Sequence, residues 1–269
     1  MPLTIVTQSR GDGSRLAEWV TYHSRLGFEE FHIVLDGVVD DSREVLAGLD
    51  VEAQVHVHER PERGEYYDGM GYSERYQRVL AWRKENAEML AATPLPINDS
   101  TSQRQFENIA PIMEAVVKDR RGWVAFIDVD EFIHLPGGGS IRSLLRTAEA
   151  PRLCLMSLNV DTTDHDPSRP VLEQHTMRWS IEDLRSYEHP AWARRVKTIA
   201  RYRVATPFVS VHRITKGRAQ RVDPSVARLL HFRLPEQKMY PPLPYSVHDP
   251  ITMPQEPRTS AVEPPHLTR

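Results

Sequence analysis

Apolar residues in the first sixty positions follow two spacings in turn. LTIVT (residues 3–7) is a short β-branched run, the mark of a buried strand. After Ser14, the residues Leu16, Trp19, Val20, His23 and Leu26 recur at helical spacing, and Gly27 closes the segment. FHIVL (31–35) predicts a second strand that stops at Asp36-Gly37. DDSREVLAGL (40–49) predicts a helix with an Asp/Ser start, and AQVHVH (53–58) a third strand. Strand, helix, strand, helix, strand at this spacing is a βαβαβ unit, which predicts an α/β fold with a parallel sheet and helices on both faces.

Beyond it the pattern loosens. Residues 59–72 are rich in Gly, Tyr and charge and read as a loop. SERYQRVLAWRKENAEMLAA (73–92) reads as a helix, and residues 101–122 as another, bent at Pro111. WVAFI (123–127) is the fourth strand. After a glycine turn at 137–139 and a short helix at 141–148, strands are predicted at 152–158, 197–204, 208–213 and 226–232. From Pro235 to the end nine of 35 residues are proline, which excludes regular helix or sheet and predicts a tail, 235–269, that wraps the surface or stays disordered.

Composition narrows the class. The chain has 269 residues, 40% hydrophobic and 26% charged, which is ordinary for a soluble domain. A net charge of -3 argues against a nucleic-acid partner. The one cysteine, Cys154, lies in the apolar run LCLMSL and reads as a buried strand thiol. The amino terminus lacks a signal-peptide pattern, and no run approaches the ~20 apolar residues of a membrane span. A cytoplasmic enzyme is the expectation.

The chemistry concentrates in WVAFIDVDEFI (123–133), where Asp128, Asp130 and Glu131 interrupt a hydrophobic run. In extended chain Asp128 and Asp130 point to the same side. Like charges so placed repel unless a cation or water lies between them. Mg²⁺ or Mn²⁺ takes carboxylate oxygen and completes its shell with phosphates, so a metal-bridged diphosphate suits this strand end. Haloacid-type phosphatases also use Asp-x-Asp, but after the first strand. A motif after the fourth strand that continues Glu-Phe favours the nucleotide-sugar transferases of the GT-A fold.

RLAEWVTYHSRLGFEEFHIVLDGVVDDS (15–42), SQRQ (102–105) ahead of DVDEF, RRVKTIARY (194–202), SVHR (210–213) and LLHFR (229–233) together resemble a glycosyltransferase family 2-like group related to glycosyltransferase family 92. The likeness covers about residues 3–233. Gly11-Asp12 stands where that group has Asn-Glu, Asp36-Gly37 where it has Asp-Asn, and residues 59–100 resemble an insertion or lid. The resemblance implies a GT-A (Rossmann-like), mostly parallel sheet with late mixed strands over residues 1–234. It also implies metal-dependent, inverting transfer from a nucleoside diphosphate sugar, a UDP-sugar first, to an acceptor that stays unidentified.

In that reading Asp130 binds the metal directly, and Asp128 binds it through water or holds the ribose. His231 supplies a third ligand or touches phosphate. Asp36 contacts the nucleoside, Arg10 and Gln105 support the nucleotide side, and Lys197 and His212 meet phosphate. Asp161 and then Asp164 are the candidates for the base that takes the acceptor proton, with Glu173 and Asp183 next. YYDGMGYSERY (66–76) is expected to line the acceptor side and to order when donor binds. Two alternatives stay open. One is a nucleotidyltransferase, for which QSRGDGSR (8–15) is a faint triphosphate loop. The other is a non-catalytic protein that binds nucleotide or carbohydrate.

Overall fold

The computed structural model describes residues 1–117, 120–188, 192–212, 214, 216–233 and 243–255, with 116 and 117 described in backbone only. The strands are β1 (Leu3–Ser9), β2 (Glu30–Asp36), β3 (Gln54–Arg60), β4 (Trp123–Phe126), β5 (Glu131–His134), β6 (Arg152–Asn159), β7 (Met177–Arg178), β8 (Val196–Arg201), β9 (Ala219–Arg221), β10 (Arg228–His231) and β11 (Val247–His248). The longer helices are α1 (Gly13–Leu26), α3 (Tyr72–Glu85) and α5 (Ser100–Ile112). The shorter α2 (Ser42–Ala47) and α4 (Ala87–Ala92) lie between them in the chain.

One sheet has the order β3-β2-β1-β4-β8-β6-β10-β5, with β9 beside β6. β1 is parallel to both β2 and β4, and β2 to β3. β8 is antiparallel to β4 and to β6, β10 is parallel to β6, and β5 closes the far edge antiparallel to β10. The result is the expected α/β architecture: a mostly parallel sheet, helices on both faces and mixed late strands.

Alternation along the strands sets the two faces. Ile5, Phe31, Ile33 and Ala125 turn to one side and pack on Leu16, Trp19 and Val20 of α1. Val6, Val34, Val124 and Phe126 turn to the other and pack on Ile109 and Ile112 of α5. The chain leaves β1 through α1 toward β2, and later reaches β4, on the opposite side of β1, through α5. That reversal beside β1 is a topological switch point, where an open α/β sheet leaves a crevice beyond its strand ends.

α1 does more than cover the sheet. Its Trp19 Nε1 donates to the Glu131 carbonyl at 2.9 Å, and Tyr22 OH to the Ile133 carbonyl at 2.8 Å. His23 Nδ1 meets the Trp19 carbonyl at 2.9 Å, which leaves Nε2 to accept from the Ile133 amide at 3.3 Å. Burial pushes His23 down to about 3, so it stays neutral and keeps that acceptor. Glu18 accepts from the Val171 and Leu172 amides at 2.7 and 3.0 Å. The Glu-Trp-x-x-Tyr-His stretch is therefore a set of backbone clamps on β5 and on the 171–174 turn.

Several elements differ from expectation. Residues 208–213 are irregular over their described positions; Phe208 and Val211 are apolar because they are buried against Phe106 and Phe126, not because they alternate in a strand. The strand expected at 197–204 ends at Arg201 and turns into the short helix Tyr202–Ala205. The helix expected over 73–92 breaks at Asn86, and that over 101–122 gives way after Ile112 to a π-helical turn, Met113–Val117. Cys154 is half-buried, with its sulfur 4.0 Å from Thr198 Oγ1.

Of the proline-rich tail, residues 235–242 and 256–269 lie outside the described residues; within 243–255, β11 pairs with β7, and the following residue, Asp249, binds Arg178, Arg228 and His134, the last at 3.4 Å. Desolvation works against the Asp249 charge, but His134, Arg228 and Arg178 outweigh it and hold the carboxyl well below the usual range. A carboxylate lowered in this way stabilises the fold above its unfolded pKa near 3.8 and loses that contribution as pH falls toward its folded value. Asp249→Asn is therefore expected to lower the unfolding free energy at pH 7 by on the order of 3 kcal/mol, since it leaves two half-compensated arginines. In urea titrations the deficit should shrink progressively below pH 4; an unchanged midpoint at pH 7 would show that the clamp does not hold the tail.

Candidate active site

The carboxylate motif forms a tight turn between β4 and β5. The Glu131 amide donates to the Asp128 carbonyl at 3.0 Å, and the Asp128 amide returns a bond to Glu131 Oε2 at 2.9 Å. The chain is thus not extended here, and Asp128 and Asp130 face different partners. Lys197, brought from β8, sets its Nζ 2.7 Å from Asp128 Oδ2 and 3.0 Å from Glu131 Oε2. His231, at the end of β10 and opposite Glu131 in the ladder, sets Nε2 3.1 Å from Asp130 Oδ2.

Burial and pairing decide the charges. Lys197 and Glu131 are almost fully buried. Desolvation works against the Lys197 ammonium, but Asp128 and Glu131 outweigh it, so its pKa rises and the charge is kept. Desolvation raises Glu131, with Lys197 opposing. Asp128 and Asp130 both end below the ordinary carboxylate range: desolvation opposes this, and Lys197 and then His212 overcome it at Asp128, as His231 does at Asp130. Lys197 in turn pushes His212 down to about 4.

A cleft of about 560 Å³ opens over this turn at the switch point, within the ~300–1,000 Å³ usual for small-molecule sites. Asp128, Asp130 and His231 form part of its wall, with His212, Arg195 and Arg233 beside them. Arg10, Gln105 and Arg75 line other parts, as do Asn98 and Asp99 from the segment expected to be a lid. Cations thus gather around the carboxylate–histidine pair, the charge pattern a diphosphate needs.

Not every expected residue enters this cleft. Asp36 is buried on the α5 face of the sheet, paired to Arg104 at 2.7 Å and bonded by Gln8, Tyr66 and Asn108. Arg10 reaches the cleft, but its guanidinium also binds Glu62 and Asp68 and lies 3.8 Å over the Tyr66 ring. Arg104 lies 3.8 Å from that ring as well, so Tyr66 is held between two guanidiniums. Gly37 permits this: with φ of +68°, an added Cβ would stand 2.5 Å from Arg10 and 2.7 Å from Glu62.

Lys197 lines a separate hollow of about 340 Å³ with Ser157, Arg194 and His212. Asp161 and Asp164 are absent from the described cleft lining; Asp161 Oδ1 instead accepts from the Thr163 amide and hydroxyl at 3.1 and 2.6 Å, a local turn. Glu173 and Asp183, on the short helices Val171–Gln174 and Ile181–Ser186, are absent from that lining too.

Asp12 was not singled out in the sequence. It follows β1 and lines the cleft, accepting from Ser9 Oγ at 2.9 Å and from the Arg10 amide at 3.3 Å. Desolvation pushes its carboxyl up to about 6; Arg15 opposes the rise and Asp130 adds to it. The signal was in Gly11-Asp12, an acidic residue one loop beyond the strand that neighbours β4.

The donor set fits a small divalent ion. Asp130 Oδ2 and His231 Nε2 are about as far apart as two adjacent donors on one ion with bonds of about 2.1 Å, and Asp12 is a second carboxylate whose repulsion with Asp130 a cation would relieve.

Fold and site together define an α/β protein with a carboxylate–histidine cleft at its switch point. The profile of glycosyltransferase family 92 matches residues 10–266, and the chain belongs to that family. It is 25% identical to a glycosyltransferase family 92 protein of Oryza sativa subsp. japonica over 147 residues, 54% of this chain and 18% of that protein. It is 25% identical to one of Ricinus communis over 188 residues, 67% of this chain and 27% of that protein. The chain thus spans about a fifth to a quarter of the length of these relatives. Among solved structures, S. aureus TarS 1-349 superposes with a TM-score of 0.45 at 8% identity, covering 86% of this chain and 60% of that one. The Mn/GDP form of core-mannan synthase A from Aspergillus fumigatus gives 0.37 at 11% identity, covering 76% and 60%.

A carboxyl raised from 3.8 to about 6 favours folding below pH 3.8 and loses that contribution as pH rises through 6. Asp12→Asn keeps the hydrogen-bond acceptor and removes the charge. It is expected to stabilise the chain at pH 7.5 by on the order of 2–3 kcal/mol, at 1.36 kcal/mol per pH unit. The gain should vanish by about pH 4. Thermal melts across this range check the sign; a variant less stable at pH 7.5 would show that Arg15, not burial, dominates.

Proposed function

We propose that this chain transfers a sugar from a nucleoside diphosphate sugar, a UDP-sugar first, to an acceptor hydroxyl. The observation that carries this is the pairing of Asp130 with His231 in a cleft where Arg10, Arg75, Arg195 and Arg233 also line the wall. Asp130 and His231 would hold a Mn²⁺ or Mg²⁺ ion, with Asp12 and Asp128 beside it. Such an ion supplies charge stabilisation for the departing diphosphate.

The chain's own groups do the rest. Arg195 and Arg233 face the growing negative charge from the cleft wall as the C1–O bond breaks. Lys197 acts one step back, holding Asp128 and the turn in place. Gln105, Arg10 and Asp12 flank the nucleotide side, and Asp36 supports it through Arg104 and Tyr66. The wall built by residues 59–100 faces the acceptor and closes on it when donor binds. In an inverting transfer a base takes the acceptor proton. Asp161, then Asp164, keeps that role in this proposal, which requires the Asp161–Thr163 turn to open when acceptor enters.

Nucleoside diphosphate release from a panel of UDP- and GDP-sugars with Mn²⁺ tests the reading. Asp130→Asn is expected to lower turnover by roughly 10²-fold or more, the worth of one well-placed electrostatic group, and to weaken UDP binding in titration calorimetry. Normal turnover in EDTA would refute the metal role.

The base has its own test. Asp161→Asn should lower kcat by roughly 10²-fold with UDP affinity unchanged. Full activity in both Asp161→Asn and Asp164→Asn would place the base elsewhere.

A further inference from the structure

On β2 and β3, outside the cleft lining, three histidines share one face. β2 and β3 run in the register His32↔His56 and Val34↔His58, so alternation brings His32, His56 and His58 to the same side, with Glu30 at the start of β2. His32 Nε2 lies 3.3 Å from Glu30 Oε1, and His56 Nε2 lies 3.7 Å from that same oxygen. The ligand atoms of Glu30, His32 and His56 all fall within 4.8 Å of one another. His32 Nδ1 meets His58 Nε2 at 3.0 Å.

We propose that Glu30, His32 and His56 form a second cation site, separate from the cleft, that takes a borderline divalent transition ion, Zn²⁺ first, and that His58 orients His32 from behind. Donors bonded at about 2.0–2.1 Å to a tetrahedral Zn²⁺ stand roughly 3.3 Å apart, close to the two separations at Glu30 Oε1. Two imidazoles and one carboxylate form an N-rich set, which favours Zn²⁺, Cu²⁺ or Ni²⁺ over the harder Mg²⁺ and Mn²⁺ suited to the cleft. His58 accepting from His32 Nδ1–H leaves Nε2 as the lone-pair donor, the usual arrangement behind a metal-bound imidazole.

The surroundings allow it. Arg120 binds both Glu30 oxygens at 3.0 and 2.9 Å, and Thr4 Oγ1 binds Oε2 at 3.0 Å. Arg120 is 41% exposed, so NH1 can leave Oε1 to the metal while Oε2 keeps its partners. The rings of His32 and His56 are stacked at 4.6 Å and 12°, and a metal lies in the plane of each ring it joins. His56, 45% exposed, has room to make that turn. The ion would fasten the edge strand β3 to β2.

The test uses the full chain carrying Asp130→Asn, which silences the cleft, after chelation and dialysis. Zn²⁺ binding is read by competition with a chromophoric chelator and stoichiometry by elemental analysis. One Zn²⁺ per chain is expected, with no displacement by a tenfold excess of Mn²⁺. His56→Gln, at an exposed position and with its fold checked by circular dichroism, should weaken Zn²⁺ by more than about tenfold, and His58→Gln by roughly 10–100-fold. No bound Zn²⁺ in the parent, or equal affinity in His56→Gln, overturns the proposal. Because neither readout depends on sugar transfer, failure here leaves the cleft's function untouched.

Discussion

The structure turns on one buried ammonium. Lys197 has little water around it, and a charge so placed costs several kcal/mol unless it is paired and hydrogen-bonded. Asp128 and Glu131 meet that demand together. The requirement works in both directions: without Lys197, Glu131 would be an uncompensated carboxylate in the core, and the turn that binds the Asp128 amide would lose its anchor. β8 enters the sheet antiparallel between β4 and β6, so this ion pair also ties the parallel half to the mixed half. With Asp128 and Glu131 engaged inward, Asp130 is the carboxylate left to meet His231 at the cleft.

α1 supports the same turn from the other face. Trp19, Tyr22 and His23 each satisfy a backbone group of β5, an edge strand four residues long that would otherwise have few bonds. One helix therefore serves as core, as sheet edge cover and as the rigid backing of the site. Rigidity at that position matters because electrostatic catalysis depends on groups that need not move when charge develops.

Much of this was legible in the chain. The runs at 3–7, 31–35 and 123–127 gave strands because each is mostly apolar, 53–58 because Ala53, Val55 and Val57 alternate with polar residues, and α1 followed from its helical spacing. DVDEF announced the site. What was not legible depends on contacts distant in sequence: Asp128 meets Lys197 69 residues away, and Asp130 meets His231 101 residues away. β5 is too short to show a period, and its apolar Phe132 and Ile133 look like a continuation of β4. Phe208 and Val211 show the converse, residues buried from an irregular segment that has the look of a strand. Asp36 ends a strand at the right edge for a ligand, and only Arg104, supplied by a helix that starts at Ser100, reveals that its charge is neutralised internally.

The clamp at Asp249 has an evolutionary side. Arg178 and Arg228 come from different strands, and one carboxylate beyond the tail's short strand holds both. Arg228 opens the same four-residue strand that His231 closes. A lineage that lost Asp249 alone would be left with two like charges side by side, next to the strand that feeds the site; a lineage that first replaced both arginines would not. These three positions are thus expected to drift as a unit, and the order in which they change is constrained although none of them is among the residues that line the cleft.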